Sequence, residues 1–265
     1  MAGKLAGRSA LITGGSHGIG RGIGEALAAE GADVFFCHLE PEADGEVAAQ
    51  AMRAHGVRAT ALRLDISDPA APDRLFAAAV AAHGKVDILV NNAAYIPPKT
   101  FLQMTDADFE KSMRVLLHVP YLLCRRFADA VIASRPAQPE DTLGNAGVIL
   151  NIASASARNA RADRPAYSAA KAGLVMLSKA LAWELGPHGI RVISISPGVT
   201  RTKATAPFFD DPADERWRRM RAIIPLGRPG EPADFGHVAA FLASPEAAYI
   251  RGVSLQVDGG RMKSI

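Results

Sequence analysis

A chain of 265 residues with 49% hydrophobic residues, a mean hydropathy of +0.08 and a net charge of +3 can bury a full core in one α/β unit. No apolar run approaches the roughly 20 residues of a membrane span, and residues 1–8 lack the apolar stretch of a secretory leader, so a cytoplasmic protein is expected. Scattered Lys and Arg without a basic run argue against a nucleic-acid partner, while two isolated cysteines, Cys37 and Cys124, and seven histidines with no His-x-x-x-His leave a metal without evident ligands.

The first element is the apolar run Ser9-Ala10-Leu11-Ile12, which ends in Thr13-Gly14-Gly15-Ser16-His17-Gly18-Ile19-Gly20 before a segment carrying Ile23, Leu27 and Ala28 at helical spacing. Strand, glycine turn and helix is the order a phosphate site needs, because glycines let the backbone approach an anion that then sits at the helix N-terminus. The helix stops at Glu30-Gly31, and Ala32-Asp33-Val34-Phe35-Phe36-Cys37 follows as a strand apolar on both faces, the mark of a buried parallel sheet. The alternation then repeats, with a helix over 42–55, a strand over 57–64 ending at Asp65, a helix over 72–83 and a strand over 86–90 ending at Asn91-Asn92-Ala93-Ala94. A long helix over 106–134 precedes a polar loop over 135–147.

The next strand, Val148-Ile149-Leu150-Asn151-Ile152-Ala153, closes at Ser154, and the helix that opens at Pro165 carries Tyr167 and Lys171. Residues four apart share a helix face, so the phenol and the ammonium should stand side by side. An adjacent cation favours the phenolate and lowers its pKa, which predicts an acid/base pair. Tyr95 and Lys99 have the same spacing, but Pro97 and Pro98 between them bar a helix, so those side chains need not meet. A strand over 190–196, closed by Pro197-Gly198-Val199-Thr200-Arg201-Thr202, leads to a segment at 203–225 that mixes Phe208, Phe209, Trp217 and Met220 with charges, the composition of a substrate lid. A helix over 232–243 and a strand over 253–257 end at Asp258-Gly259-Gly260. Regular alternation without repeats or a linker predicts a single α/β domain over 1–265, doubly wound in the Rossmann manner, with a parallel sheet of about seven strands and helices on both faces.

Taken together, Thr13-Gly14-x-x-x-Gly18-Ile19-Gly20, Asp65, Asn91-Asn92-Ala93, Ser154 with Tyr167 and Lys171, Pro197-Gly198 with Thr202, and Asp258-Gly259-Gly260 resemble the short-chain dehydrogenase/reductase family in its classical subgroup. The resemblance implies an NAD(P)-dependent enzyme that interconverts a secondary alcohol or sugar hydroxyl with its carbonyl. By the same likeness Gly14, Ser16, His17, Gly18, Ile19 and Gly20 would cradle the dinucleotide phosphates. His38, Leu39, Asp65 and Ile66 would line the adenosine side, and Asn91 and Ala93 would lie along the ribose. Lys171 would hold the nicotinamide ribose, and Pro197, Gly198, Val199 and Thr202 would border the carboxamide. Ser154 would bind the substrate oxygen while Tyr167 gives or takes its proton.

Two departures from the pattern stand out. Ala94 replaces a usual glycine, and Leu116 falls where the family carries an asparagine that keeps the long helix open, so that its carbonyl holds a water relaying protons to Lys171. Pro120 has no N–H for the carbonyl four residues back, which is that of Leu116, so the helix is expected to open there by another device. The likeness further implies a homotetramer in which the Tyr167 helix and the long helix meet partner copies through Ala169, Gly173, Val175 and Met176. Glu40, near the end of the second strand, inclines the cofactor choice toward NAD over NADP. Arg158, Asn159, Arg161 and Arg164 are candidate contacts for a polyol or an anionic group. The rival reading is a dinucleotide-binding protein with weak or no catalysis.

Overall fold

Seven apolar runs become strands: β1 (Ser9–Thr13), β2 (Asp33–His38), β3 (Ala59–Arg63), β4 (Ile88–Asn91), β5 (Gly147–Ile152), β6 (Ile190–Pro197) and β7 (Ser254–Val257). In the computed structural model, which describes residues 3–97, 99–134, 145–160, 162–203, 205–211 and 214–262, they form an all-parallel sheet in the order β3-β2-β1-β4-β5-β6-β7. Side chains alternate across it. Ala10, Ile12, Val34, Phe36, Ile88 and Val90 face one layer, formed by α1 (Gly18–Ala29), α2 (Glu42–Arg53) and α9 (Pro232–Ala243). Leu11, Phe35, Cys37 and Leu89 face the other, formed by α3 (Ala71–His83), α5 (Val119–Ala133) and α6 (Pro165–Leu185). Both faces of the inner strands are covered, which is why they are largely apolar, whereas the edge strands β3 and β7 are partly exposed and carry polar residues. After β3 the chain returns to lay β4 beside β1, so the connections leaving β1 and β4 diverge and open a crevice at their carboxyl ends.

Element bounds differ from the sequence reading by a residue or two, as helix and strand ends do. The 106–134 helix departs further. It runs as α4 (Asp106–Met113), a π turn (Arg114–His118) and α5. Within it the Val119 N–H bonds the Arg114 carbonyl, five residues back, and Pro120 offers no N–H to Leu116. The opening therefore occurs where Pro120 predicts it, as one widened turn. The 135–144 part of the following loop lies outside the described residues.

Tyr95 and Lys99 do converge, contrary to expectation, through a third residue instead of a helix face. Lys99 Nζ lies 2.7 Å from Asp108 Oδ2 and Tyr95 Oη 3.5 Å from Asp108 Oδ1, pinning their loop to the capped start of α4. Short helices α7 (Pro207–Asp210) and α8 (Glu215–Ala222) follow β6, with Phe209 edge-on to Trp217 at 5.0 Å.

Arg191 on β6 is fully buried. Its guanidinium donates to the carbonyls of Leu242, Ala243, Ser244 and Ala247 at 2.6–3.4 Å, closing the C-terminal end of α9 with a charge of the sign the helix dipole favours. Burial, with Arg8 and Arg251 nearby, pushes its pKa down to about 10. Cys37 and Cys124 are buried and unpaired. Among the described residues no helix is long and apolar enough to cross a membrane, and no three His, Cys, Asp or Glu side chains gather to hold a metal ion.

Candidate active site

The crevice starts where β1 turns into α1. Gly14 has φ +72°, a conformation other residues resist, and its carbonyl accepts a hydrogen bond from Asn92 Nδ2 at 2.9 Å. Asn92 Nδ2 also reaches the Thr13 carbonyl at 3.0 Å, while Thr13 Oγ1 accepts from the Asn92 and Ala93 N–H groups. A Cβ at Gly20 would lie 2.0 Å from the Gly14 oxygen and 2.4 Å from Asn92 Nδ2, so only glycine lets α1 press its first turn onto the end of β1. Ile19 packs on the core beneath. No side chain caps α1 at His17, leaving first-turn N–H groups for an anion. The Thr202 methyl comes within 3.4 Å of where a Cβ would stand on Gly18, bringing the β6 loop against the glycine turn. The donor set and the Gly14–Gly20 approach fit a dinucleotide pyrophosphate.

Several of the expected cofactor residues turn their side chains into the protein. Asn91 is 3% exposed, and its amide donates to Asn151 Oδ1 at 2.8 Å and toward Cys124 Sγ at 3.4 Å. Its side chain ties β4 to β5, so any contact Asn91 makes with a cofactor must come from its main chain. Neighbouring strand residues point to opposite faces, and Asn92 is the residue that shapes the crevice; its place in Asn91-Asn92-Ala93 was the available signal. The His38 ring is buried on Gly45 of α2, where a Cβ would lie 2.2 Å from Nε2, and its carbonyl accepts from the Leu64 N–H; the ring would have to leave Gly45 to meet a cofactor. The Ile66 side chain belongs to the core, so any contact it makes with a cofactor must come from its main chain. Ser16 is buried, with its hydroxyl donated to Glu40 Oε2 at 2.7 Å, and His17 Nδ1 stands 3.0 Å from Ser16 Oγ and 3.3 Å from Glu40 Oε1. Burial raises the Glu40 pKa, but the Ser16 hydrogen bond, main-chain N–H groups and the His17 charge outweigh it and hold the carboxyl below its ordinary value. Leu39 is exposed at the rim, and so is Asp65.

The sequence brings Ser154, Tyr167 and Lys171 together as read. Ser154 ends the β5 connection and accepts the Ser156 N–H at 3.0 Å, and its side chain lies near enough to the Tyr167 phenol to lower that group's pKa. Lys171 Nζ stands 5.8 Å from the Tyr167 ring centre and donates to the Ile152 carbonyl at 2.5 Å. The electrostatics reverse the expectation. Burial pushes the Tyr167 pKa up, against partial relief from Ser154 and the Arg164 charge, and burial pushes Lys171 down to about 7. Desolvation outweighs the neighbouring cation because Lys171 itself is 3% exposed and loses much of its charge at neutral pH.

On the β6 side the Gly198 N–H bonds the Val257 carbonyl at 3.0 Å, and the Val199 carbonyl accepts from Gly230 at 2.9 Å. A Cβ on Gly198 would meet Asp258 at 2.6 Å, so the loop after Pro197 and the Asp258 turn fix each other. Arg158 and Asn159 are exposed and Arg164 precedes α6; Arg161 lies outside the described residues.

A glycine turn at the switch point of a doubly wound sheet, with a tyrosine and a lysine gathered near it, is compatible with a nicotinamide-dependent oxidoreductase. Comparison with known proteins agrees. Residues 14–261 match the family profile described as enoyl-(acyl carrier protein) reductase. The chain is 36% identical over 257 residues to an L-rhamnose 1-dehydrogenase (NAD(P)(+)) from Sphingomonas sp., covering 97% of this chain and 96% of that one. It is 35% identical to a sorbitol dehydrogenase from Cereibacter sphaeroides, covering 98% and 100%. A crystal structure from Agrobacterium tumefaciens, assigned as a 2-deoxy-D-gluconate 3-dehydrogenase with bound NADP, superposes with a TM-score of 0.84 at 34% identity over 97% of each chain. The chain belongs to the short-chain dehydrogenase/reductase family and is an NAD(P)-dependent oxidoreductase.

Proposed function

We propose that the protein interconverts a secondary hydroxyl of a sugar or polyol with its carbonyl, using Tyr167 as acid and base. The observation that carries this reading is the meeting of Ser154, Tyr167 and Lys171 at the mouth of the crevice. Bound nicotinamide dinucleotide supplies or accepts the hydride. Ser154 holds the substrate oxygen by a hydrogen bond, and the Tyr167 hydroxyl passes its proton to that oxygen in reduction and takes one from it in oxidation. Lys171 sits beneath the phenol and holds the cofactor ribose. The helices α7 and α8, closed on each other through Phe209 and Trp217, form the lid over the substrate, all within a single domain. The relatives named for rhamnose and sorbitol support the substrate class. The test is turnover of a panel of sugars, polyols and simple alcohols, followed by nicotinamide absorbance. Oxidation of at least one polyol is expected; dinucleotide binding with no turnover across the panel would establish the binding-protein alternative.

Glu40 supports a preference for NAD. Its carboxylate, held by Ser16 and beside His17, accepts a ribose 2′-hydroxyl and repels a 2′-phosphate. NAD should therefore have the higher kcat/KM, and Glu40→Gln should narrow the gap. A kcat/KM for NADP more than about tenfold above that for NAD, a difference near 1.4 kcal/mol, refutes the preference.

The protein is further read as a homotetramer. Val175 is buried in its own subunit and Gly173 packs against Leu117 of the same chain, which corrects the predicted interface face, but Ala169 and Met176 remain on the outer side of α6, with Met176 64% and Trp183 87% exposed. Beside them lies a groove of about 690 Å³ lined by Phe109, Met113, Leu117, Tyr121 and Leu177. Apolar surface on this scale favours a second copy. Light scattering should give a multiple of 27.9 kDa, and a single-chain mass at micromolar concentration refutes it. The buried, unpaired thiols support a reducing, cytoplasmic setting, which cell fractionation tests.

A further inference from the structure

The first residue of the π turn, Arg114, reaches away from the helix to the loop that follows β3. Its Nε donates to the Ser67 carbonyl at 2.7 Å and its Nη2 to the Asp68 carbonyl at 3.3 Å. Ser67 in turn gives both its N–H and its hydroxyl to Asp65 Oδ1, at 2.8 and 2.7 Å. The Ser67 hydroxyl, followed by its N–H, holds the Asp65 carboxyl below its ordinary pKa, with a smaller contribution from the Lys111 charge. A guanidinium, two carbonyls and a carboxylate are thus joined in one chain of contacts, ending at the exposed Asp65 on the carboxyl edge of the sheet.

The location gives this chain of contacts its meaning. With a pyrophosphate at the start of α1, a dinucleotide lays one nucleoside over the carboxyl ends of β1, β2 and β3, because ligands of open parallel sheets lie in the crevice beyond those ends. The loop after β3 walls that side. Main-chain carbonyls in such a loop are poor anchors by themselves, whereas a charged donor makes a bond roughly twice as strong as a neutral one. The other end of the clamp is well supported: the Arg114 carbonyl accepts the widened bond from Val119, and the same turn meets α6 where Leu117 lies 3.0 Å from a Cβ on Gly173. Gly173 is two residues beyond Lys171 on α6.

We infer that Arg114 is a positioning residue for the adenosine half of the cofactor site: it holds the Asp65–Asp68 turn at the height an adenosine needs and ties it to the π turn that supports α6. This rests on the dinucleotide-binding reading of the crevice. Arg114 touches neither substrate nor the reacting atoms, so its effect belongs in cofactor affinity and not in the chemical step.

The test uses the full-length protein without substrate, measuring calorimetric binding of NAD and of AMP, and then steady-state kinetics. Arg114→Gln is expected to weaken AMP and NAD binding about 5- to 20-fold, near the lower end of what a hydrogen bond to a charged group is worth because the loss acts through the turn, and to raise the KM for the cofactor in step. The kcat at saturating cofactor should be little changed, and Arg114→Lys should recover part of the loss. Ser67→Ala, which removes the hydroxyl bond to Asp65, should weaken AMP several-fold, and the double variant should be no worse than Arg114→Gln alone, because both act through one chain of contacts. Unchanged AMP binding in folded Arg114→Gln overturns the inference, as does strict additivity with Ser67→Ala or a loss confined to kcat. If Arg114→Gln does not fold, unchanged AMP binding by Ser67→Ala overturns it. Wild-type protein that binds neither NAD nor AMP would instead overturn the dinucleotide reading itself.

Discussion

Tyr167→Phe is expected to lower kcat by ~10²–10⁴, the usual worth of a positioned acid/base group, while NAD binding and thermal stability stay close to wild type. Phenylalanine keeps the ring that faces Lys171 Nζ at 5.8 Å and removes only the hydroxyl that lies near Ser154. The pH dependence has a definite sign. Burial holds the Tyr167 pKa above its ordinary value of 10.0, so the free enzyme carries a protonated phenol at neutral pH, ready to act as an acid. Oxidation needs the phenolate, whose fraction grows with pH, so kcat/KM for alcohol oxidation should rise through the alkaline range, whereas carbonyl reduction should not. A Tyr167→Phe enzyme with more than a tenth of the wild-type kcat, or an oxidation profile that falls between neutral and alkaline pH, would remove Tyr167 from the acid/base role.

Arg191→Met should have the largest effect on stability of any single change away from the crevice. Replacing a buried ion pair by apolar groups is often neutral, because the desolvation of both charges is relieved together. Here the acceptors are main-chain carbonyls; those of Ser244 and Ala247 keep the N–H groups of Ala247 and Ile250, whereas those of Leu242 and Ala243 lose the guanidinium and stay buried. Each unsatisfied acceptor costs about 1–3 kcal/mol, and with some relaxation of the α9 end the total should reach about 3–5 kcal/mol. For a chain of this size that corresponds to a fall in Tm of roughly 5–10 °C. Calorimetric or fluorescence melting measures it, provided unfolding is reversible, and Arg191→Lys should lie between the two. A shift of less than about 2 °C would mean that solvent or neighbouring side chains take over the carbonyls.

Local patterns determined much of this protein. Apolar runs without a polar register specify buried parallel strands, and their alternation with helical spacing specifies the doubly wound sheet, because such strands have nowhere else to bury both faces. The Tyr167–Lys171 pair is visible for the same reason: four residues along an uninterrupted helix fix which side chains are neighbours. Pro120 marked the opening of the long helix, since the missing N–H is a property of the residue itself.

Only the tertiary structure decided what depends on how much water remains around a group and which face a side chain takes. Spacing places a cation beside the Tyr167 phenol; burial from α6 packing against the sheet decides that the cation is weakened and the phenol pKa raised. Adjacent asparagines look alike in sequence, yet the pleat sends Asn91 into the β4–β5 interior and Asn92 to the glycine turn. The carbonyl cluster around Arg191 and the reach of Arg114 to Ser67 link residues about fifty positions apart, and the joining of Tyr95 and Lys99 at Asp108 bridges a loop and the helix after it. Such meetings are set by the packing of whole elements, which no local pattern encodes.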